Sequence, residues 1–304
     1  MTSSPTKAQV FRQRLGSTLV LWAVVLIALF ASNPTIANTA FLVIISTLGV
    51  IGFREYANMV KQAGVDVLFR SAIVAGLAFI ALEVGTGWST QDLDTNVIHS
   101  TPAIEKLSSL GPISIVTLFF LWLTTTKLRS AGKIKIASLA STLFGWFYVF
   151  WLLSFIAKIY YLPNVQGTWF LLYFILVTKF SDLGAYSVGS MFGKHKMAPN
   201  VSPGKTWEGF VGAIVVSTLI SVVTVSLASE SLAPIRGAHA IILGILLSVF
   251  AVVGDLVESL LKRETGVKDS GALFPGIGGC LDLIDSLLFN APLFYLYCRL
   301  TVAP

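Results

Sequence analysis

Charge is scarce in this chain of 304 residues: Asp, Glu, Lys and Arg make up 12% of it, about half the ~25% of an average soluble domain. Histidine occurs three times and cysteine twice. Cys280 and Cys298 fall near opposite ends of one apolar run, too far apart to pair if that run is a helix. Neither a disulfide framework nor a thiolate metal site is suggested. His195 and His239 stand alone, and neither HExxH nor GxSxG occurs, so zinc-hydrolase and nucleophilic-serine chemistry lack support. The PGKT of Pro203 to Thr206 invites a phosphate-loop reading. It fails because Pro199 occupies the place of the first glycine and the upstream run is not a strand.

Apolar side chains are abundant instead. They reach 55% of the residues, and the mean hydropathy is +0.81. Several continuous runs approach the ~20 residues that cross a hydrocarbon core as a helix. Their continuity, without alternation, favours helices over a barrel. The expected fold is all-α and polytopic, with about nine spans. These are Leu15–Ser32, Thr39–Phe53, Ser71–Gly87, Gly111–Thr125, Ile136–Ala157, Thr168–Gly189, Gly209–Leu227, Ala238–Leu261 and Asp282–Cys298. The first run follows Lys7, Arg12 and Arg14 and could be a signal peptide, but the spans behind it favour a retained helix. Internal repeats, low-complexity tracts and linkers are not evident. Residues 1–304 are therefore expected to form a single membrane domain, with 1–160 of unassigned function and 165–304 carrying the chemistry.

Sixteen of the 21 Lys and Arg fall in loops on one side of that arrangement, among them Arg54, Lys127, Lys194, Lys205 and Lys268. The positive-inside rule makes that side cytoplasmic, with the N-terminus inside and the C-terminus outside. The net charge of +6 then reflects topology and contact with anionic lipid, and no nucleic-acid partner is expected.

The first half offers little chemistry. Glu83 reads as its one buried acid, near enough to the outer end of its span to reach the interface. The aromatic crowd of Trp146, Phe147, Tyr148, Phe150 and Trp151 reads as helix packing rather than a ligand cage.

The second half gathers ionisable residues at helical spacings. Lys179 and Asp182 are three apart with Tyr186 beyond them; Asp255, Glu258, Ser259 and Lys262 share one face; Asp282 and Asp285 open the last span. Acids at bilayer depth rarely face lipid, so these carboxylates are expected to converge. Convergence needs protonation, cationic partners or a divalent metal. Oxygen ligands without nearby Cys or His point to Mg2+, which takes one or two carboxylates plus substrate phosphates. An internal salt-bridge network among Lys179, Asp182, Glu258 and Lys262 is the plainer alternative. The flanking loops, Gly193–Gly209 and Lys262–Gly279, add Lys194, Lys196, Lys205, Lys262, Arg263 and Lys268, a set suited to a polyphosphate. Gly204, Gly276, Gly278 and Gly279 permit close approach of the backbone to phosphate oxygens.

Ser259, Lys262, Arg263, Lys268, Asp269, Pro275, Gly278, Gly279, Asp282 and Asp285 reproduce most of the pattern SxxKRxxxxKDxGxxxPGHGGxxDRxD. Together with the SPGKTWEG run from Ser202 and the DxxAY run from Asp182, it resembles the phosphatidate cytidylyltransferase, or CDP-diacylglycerol synthase, family. The resemblance covers roughly Lys179 to Ser286. Ile277 stands where the family usually has His, and Leu283 where it usually has Arg.

The reaction this implies is CTP plus phosphatidic acid giving CDP-diacylglycerol and pyrophosphate, with Mg2+ as cofactor and the bilayer as partner. Asp255 and Asp269 are the first expected metal ligands, with Asp182 and Asp285 next and Asp282 behind them. Lys262, Arg263 and Lys268 would grip the CTP phosphates, with Asp269 also in the catalytic group. Ser202, Lys205, Thr206 and Ser259 would hold nucleotide or lipid headgroup. A homodimer is among the expectations, as is a bacterial inner membrane with the site on its cytoplasmic side; an organellar source stays open. The rival readings are a CTP-dependent lipid kinase, which would release CDP, and a transporter, which the apolar outer ends of the sixth, eighth and ninth spans disfavour.

Overall fold

In the computed structural model, residues 7–94, 102–130, 134–274 and 278–302 are described. Among them are nine long helices: α1 (Lys7–Leu29), α2 (Pro34–Gln62), α3 (Phe69–Asp94), α4 (Pro102–Arg129), α5 (Ile136–Tyr160), α6 (Gly167–Phe192), α7 (Trp207–Leu227), α8 (Ala238–Glu264) and α9 (Cys280–Tyr297). Eight are long and apolar enough to cross a membrane; the apolar part of α1, Gly16–Leu29, is shorter. The chain is an all-α polytopic integral membrane protein.

Helix ends reach beyond the apolar runs that announce them. Thr39–Phe53 becomes α2 at Pro34–Gln62 because Asn33 caps it: its Oδ1 accepts the Thr35 and Ile36 amides at 2.9 and 3.3 Å, with Pro34 in the first turn. Hydropathy cannot see such polar extensions. It also misses one short hairpin. β1 (Lys196–Ala198) and β2 (Ser202–Thr206) pair antiparallel, Lys196 opposite Thr206, on the connection from α6 to α7.

The aromatic crowd on α5 is packing, as its mid-span position suggests. Trp146, Tyr148 and Phe150 are buried, and Trp146 meets Phe79 and Phe119 at ring separations of 5.2 and 5.4 Å. The helix widens to π geometry over Phe147–Trp151. Glu83 differs from expectation. It is buried instead of reaching out, and it pairs with Lys158 at 3.2 Å.

Helices α6 to α9 form the bundle that carries the ionisable residues. Along the α6–α7 contact a Cβ on Gly184 would sit 2.8 Å from the Gly212 carbonyl oxygen, and one on Gly212 would sit 2.9 Å from the Gly184 carbonyl oxygen. Only glycine lets the two backbones approach this closely. The outer parts of this bundle are less apolar than the sequence suggests. Tyr173 and Ser221 hydroxyls lie 2.6 Å apart, Ser217 donates to the Gly244 carbonyl at 3.0 Å, and Asn290 donates to Thr178 and to the Leu247 carbonyl at 3.1 and 2.8 Å. These groups are consumed in helix-to-helix hydrogen bonds, which hold helices together where apolar contact gives no advantage over lipid. Cys280 and Cys298 are both free and buried.

Candidate active site

The site lies where α6 and α8 end and α7 and α9 begin. Midway along α6, Lys179 Nζ approaches Asp182 Oδ2 at 3.2 Å, the i,i+3 pair the spacing predicts. Ser286 of α9 stands between them: its hydroxyl accepts from Lys179 at 2.9 Å and donates to Asp182 at 3.0 Å.

From the hairpin, Lys205 on β2 reaches α8. Its Nζ is 3.1 Å from Asp255 Oδ2 and donates to the Val252 carbonyl at 3.2 Å. The next residue, Thr206, begins α7: its Oγ1 accepts the Gly209 amide at 3.1 Å, the usual N-cap bond. Glu208 anchors the other hairpin arm by accepting the Lys194 amide at 3.1 Å and His195 Nδ1 at 2.6 Å. His195 is an exposed surface residue whose ring is tied to Glu208. Arg263, at the end of α8, donates Nε to the Val201 carbonyl at 3.1 Å and secures the hairpin turn.

Between these elements is a pocket of about 350 Å³ lined by Asp182, Tyr186, Ser202, Lys205, Thr206 and Asp255, among others. Five residues picked from the sequence thereby share one wall: Asp182, Ser202, Lys205, Thr206 and Asp255. Two carboxylates, a lysine, two hydroxyls and the backbone of Gly204 can receive a phosphate chain with its cation.

A second cluster lies beside the pocket. Lys262 Nζ is 2.7 Å from both Glu258 Oε2 and Asp282 Oδ1. Asp282 Oδ2 also accepts the Gly279 amide at 2.7 Å and the Ser270 hydroxyl at 2.8 Å. Lys262 is therefore committed to two carboxylates, and the internal salt-bridge network is real, in two halves. Asp285 is buried between them, near enough to interact electrostatically with Lys179, Asp182, Asp255 and Glu258. Of the remaining expected residues, Ser259 is half-buried on α8, while Lys268 and Asp269 are exposed on the α8–α9 connection. Neither Lys268 nor Asp269 has a hydrogen bond or ion pair among the described residues. Gly279 gives its amide to Asp282 rather than offering it to phosphate. Leu283, in the place of the expected Arg, packs against the apolar core. Pro275, Gly276 and Ile277 lie outside the described residues.

Among the described residues no three His, Cys, Asp or Glu are grouped to cage a metal. The pocket's two carboxylates still fit Mg2+, which keeps waters and takes its other ligands from substrate phosphates. Reasoning from sequence misses Glu55, Ser270 and Ser286. Glu55 falls just past the apolar run Thr39–Phe53, so Glu83 reads as the one buried acid of the first half, yet Glu55 is buried as well.

Comparison with known proteins shows the family. Over 165 residues the chain is 39% identical to the Uncharacterized protein YnbB of Escherichia coli, a match covering 53% of this chain and 54% of that one. It is 32% identical to the phosphatidate cytidylyltransferase of Haemophilus influenzae over 94% of this chain and 98% of the relative. The corresponding enzyme of Staphylococcus haemolyticus is 31% identical over 90% and 95%. The model of the cytidylyltransferase family matches residues 12–301, so that helices, hairpin and pocket alike lie within it, and the chain belongs to that family.

Proposed function

We propose that the protein is a phosphatidate cytidylyltransferase, a nucleotidyltransferase of phospholipid biosynthesis that moves CMP from CTP to phosphatidic acid. The observation that carries this is the pocket holding Asp182, Asp255 and Lys205 at the helix ends, where a lipid headgroup can meet a soluble nucleotide. The near full-length relatives of that name support it.

A phosphatidate oxygen attacks the α-phosphorus of CTP. The new P–O bond forms as the bond to the bridging oxygen breaks, and pyrophosphate leaves with that electron pair. Such transfers depend on positioning and on neutralising charge. Lys205 supplies a cation within the pocket, and Ser202 offers a hydroxyl. Arg263 keeps guanidinium donors left over from its bond to Val201, next to the lining residue Ser202, and the exposed Lys268 and Asp269 would join it on the phosphates. Asp182 and Asp255 would hold Mg2+, which offsets the repulsion between the two polyanions when bound. Lys262, held by Glu258 and Asp282, acts on the loop and not on the nucleotide. We assign the pocket to the cytoplasmic face of a bacterial inner membrane, because the loops around it carry the excess of Lys and Arg.

Detergent-purified protein incubated with CTP, phosphatidic acid and Mg2+ should yield CDP-diacylglycerol and pyrophosphate. Folded protein that yields neither sinks the proposal. Release of CDP with a phosphorylated lipid alcohol would make the protein a lipid kinase instead.

A further inference from the structure

No residue of α1 to α5 lines the pocket, yet one carboxylate of that half sits under the connection between α8 and α9. Glu55, on α2, is 8% exposed, and glutamate is rarely buried without partners. Its Oε1 accepts the Cys280 amide at 2.9 Å; its Oε2 accepts the Leu281 amide at 2.8 Å and the Ser270 hydroxyl at 3.3 Å. Cys280 and Leu281 open α9, so their amides have no partner within the helix. Glu55 makes no ion pair with a Lys or Arg among the described residues, and the positive end of the α9 dipole balances its charge.

Asp282 completes the knot. It takes the Gly279 amide at 2.7 Å, the Ser270 amide at 3.2 Å and the Ser270 hydroxyl at 2.8 Å. Residues 270 and 279–281, the two ends of the connecting loop, are thus bound to one pair of carboxylates. Phe274 and Gly278 pair across the neck of the loop, Gly278 with φ at 124°, a conformation favouring glycine. The packing leaves no slack, since a Cβ on Gly279 would fall 2.5 Å from Glu55 Oε2. Asp269 and Lys268 immediately precede Ser270 and have no side-chain partner among the described residues, so the backbone at Ser270 determines where they stand.

We propose that Glu55 is a positioning residue for nucleotidyl transfer: through Ser270 and the first turn of α9 it fixes the backbone that carries Lys268 and Asp269. The first half of the chain thereby enters the chemistry without touching substrate. The proposal rests on the reaction proposed above, and its test keeps the two separable.

Full-length wild type, Glu55→Gln and Ser270→Ala are compared in detergent by hydrogen exchange without substrate and by kinetics with CTP, phosphatidic acid and Mg2+. Glutamine keeps the volume but turns an amide NH2 toward a backbone donor, leaving one amide of α9 unsatisfied. Exchange in residues 266–282 should rise while α6 and α7 stay protected. The kcat/KM for CTP should fall at least about tenfold, a modest loss for displaced reacting groups, with KM for phosphatidic acid unchanged. Ser270→Ala should move both readouts the same way, and the double variant should be no worse than the poorer single one. Unchanged exchange in Glu55→Gln, or raised exchange with wild-type kcat/KM for CTP, overturns the proposal. If Glu55→Gln does not fold, Ser270→Ala decides by the same two readouts. A wild type that makes no CDP-diacylglycerol refutes the reaction, and unchanged exchange would still refute the clamp.

Discussion

Lys205 of the hairpin and Asp255 of α8 meet with Nζ 3.1 Å from Oδ2, a contact that closes the pocket between a loop and a helix far apart in the chain. A lysine so placed is held ready for an incoming phosphate by the carboxylate it will share. Lys205→Ala should lower kcat/KM for CTP about 100-fold, the scale of losing one preorganised donor to a developing charge. Steady-state assays with each substrate varied in turn check this. Unchanged kinetics for both substrates would remove Lys205 from the site.

Asp182 and Asp255 are the carboxylates available to a divalent cation in the pocket. Asp255→Asn and Asp182→Asn should each raise the Mg2+ concentration needed for half-maximal turnover and lower the maximum. A Mg2+ titration of the purified variants reads both effects. A wild-type titration curve for either variant would assign the metal elsewhere.

Lys262 holds Glu258 and Asp282 together, and Glu258 is almost wholly buried. Lys262→Met leaves two carboxylates facing each other without a cation, which should cost about 3 kcal/mol, as for one broken partner of a buried pair. The measurement is Tm in detergent. Adding Glu258→Gln should recover part of the loss, and no recovery would show that the pair is not what matters.

Asp269 is exposed and has no hydrogen bond or ion pair among the described residues, so its removal should not disturb folding. Asp269→Asn should abolish turnover while Tm and elution volume stay those of wild type. A variant that keeps near-normal turnover removes Asp269 from the site.

The spans were legible because lipid leaves the backbone no choice but internal hydrogen bonds, which makes long apolar runs helical. Helical spacing placed Lys179 with Asp182 and Glu258 with Lys262, and both pairs are present. What spacing cannot show is contact between distant segments. Lys205 meets Asp255, Ser286 bridges Lys179 and Asp182, and Glu55 reaches Cys280 from the other half of the chain. The hairpin was hidden for another reason: Pro203 and Gly204 lie in β2, and strand interiors disfavour both. Glu83 misled because a single acid near a helix end looks interfacial until its partner, Lys158 on another helix, is known.

The glycine contact between α6 and α7 has a consequence for what the pocket can admit. With Gly184 and Gly212 already backbone to backbone, those two helices form a jaw that cannot tighten further. The opposing jaw is the hairpin, held by Lys205, Arg263 and Glu208 through a handful of polar contacts rather than by backbone packing. Grafting residues 196–206 while the helices are left alone is therefore the change expected to alter which headgroup the pocket admits.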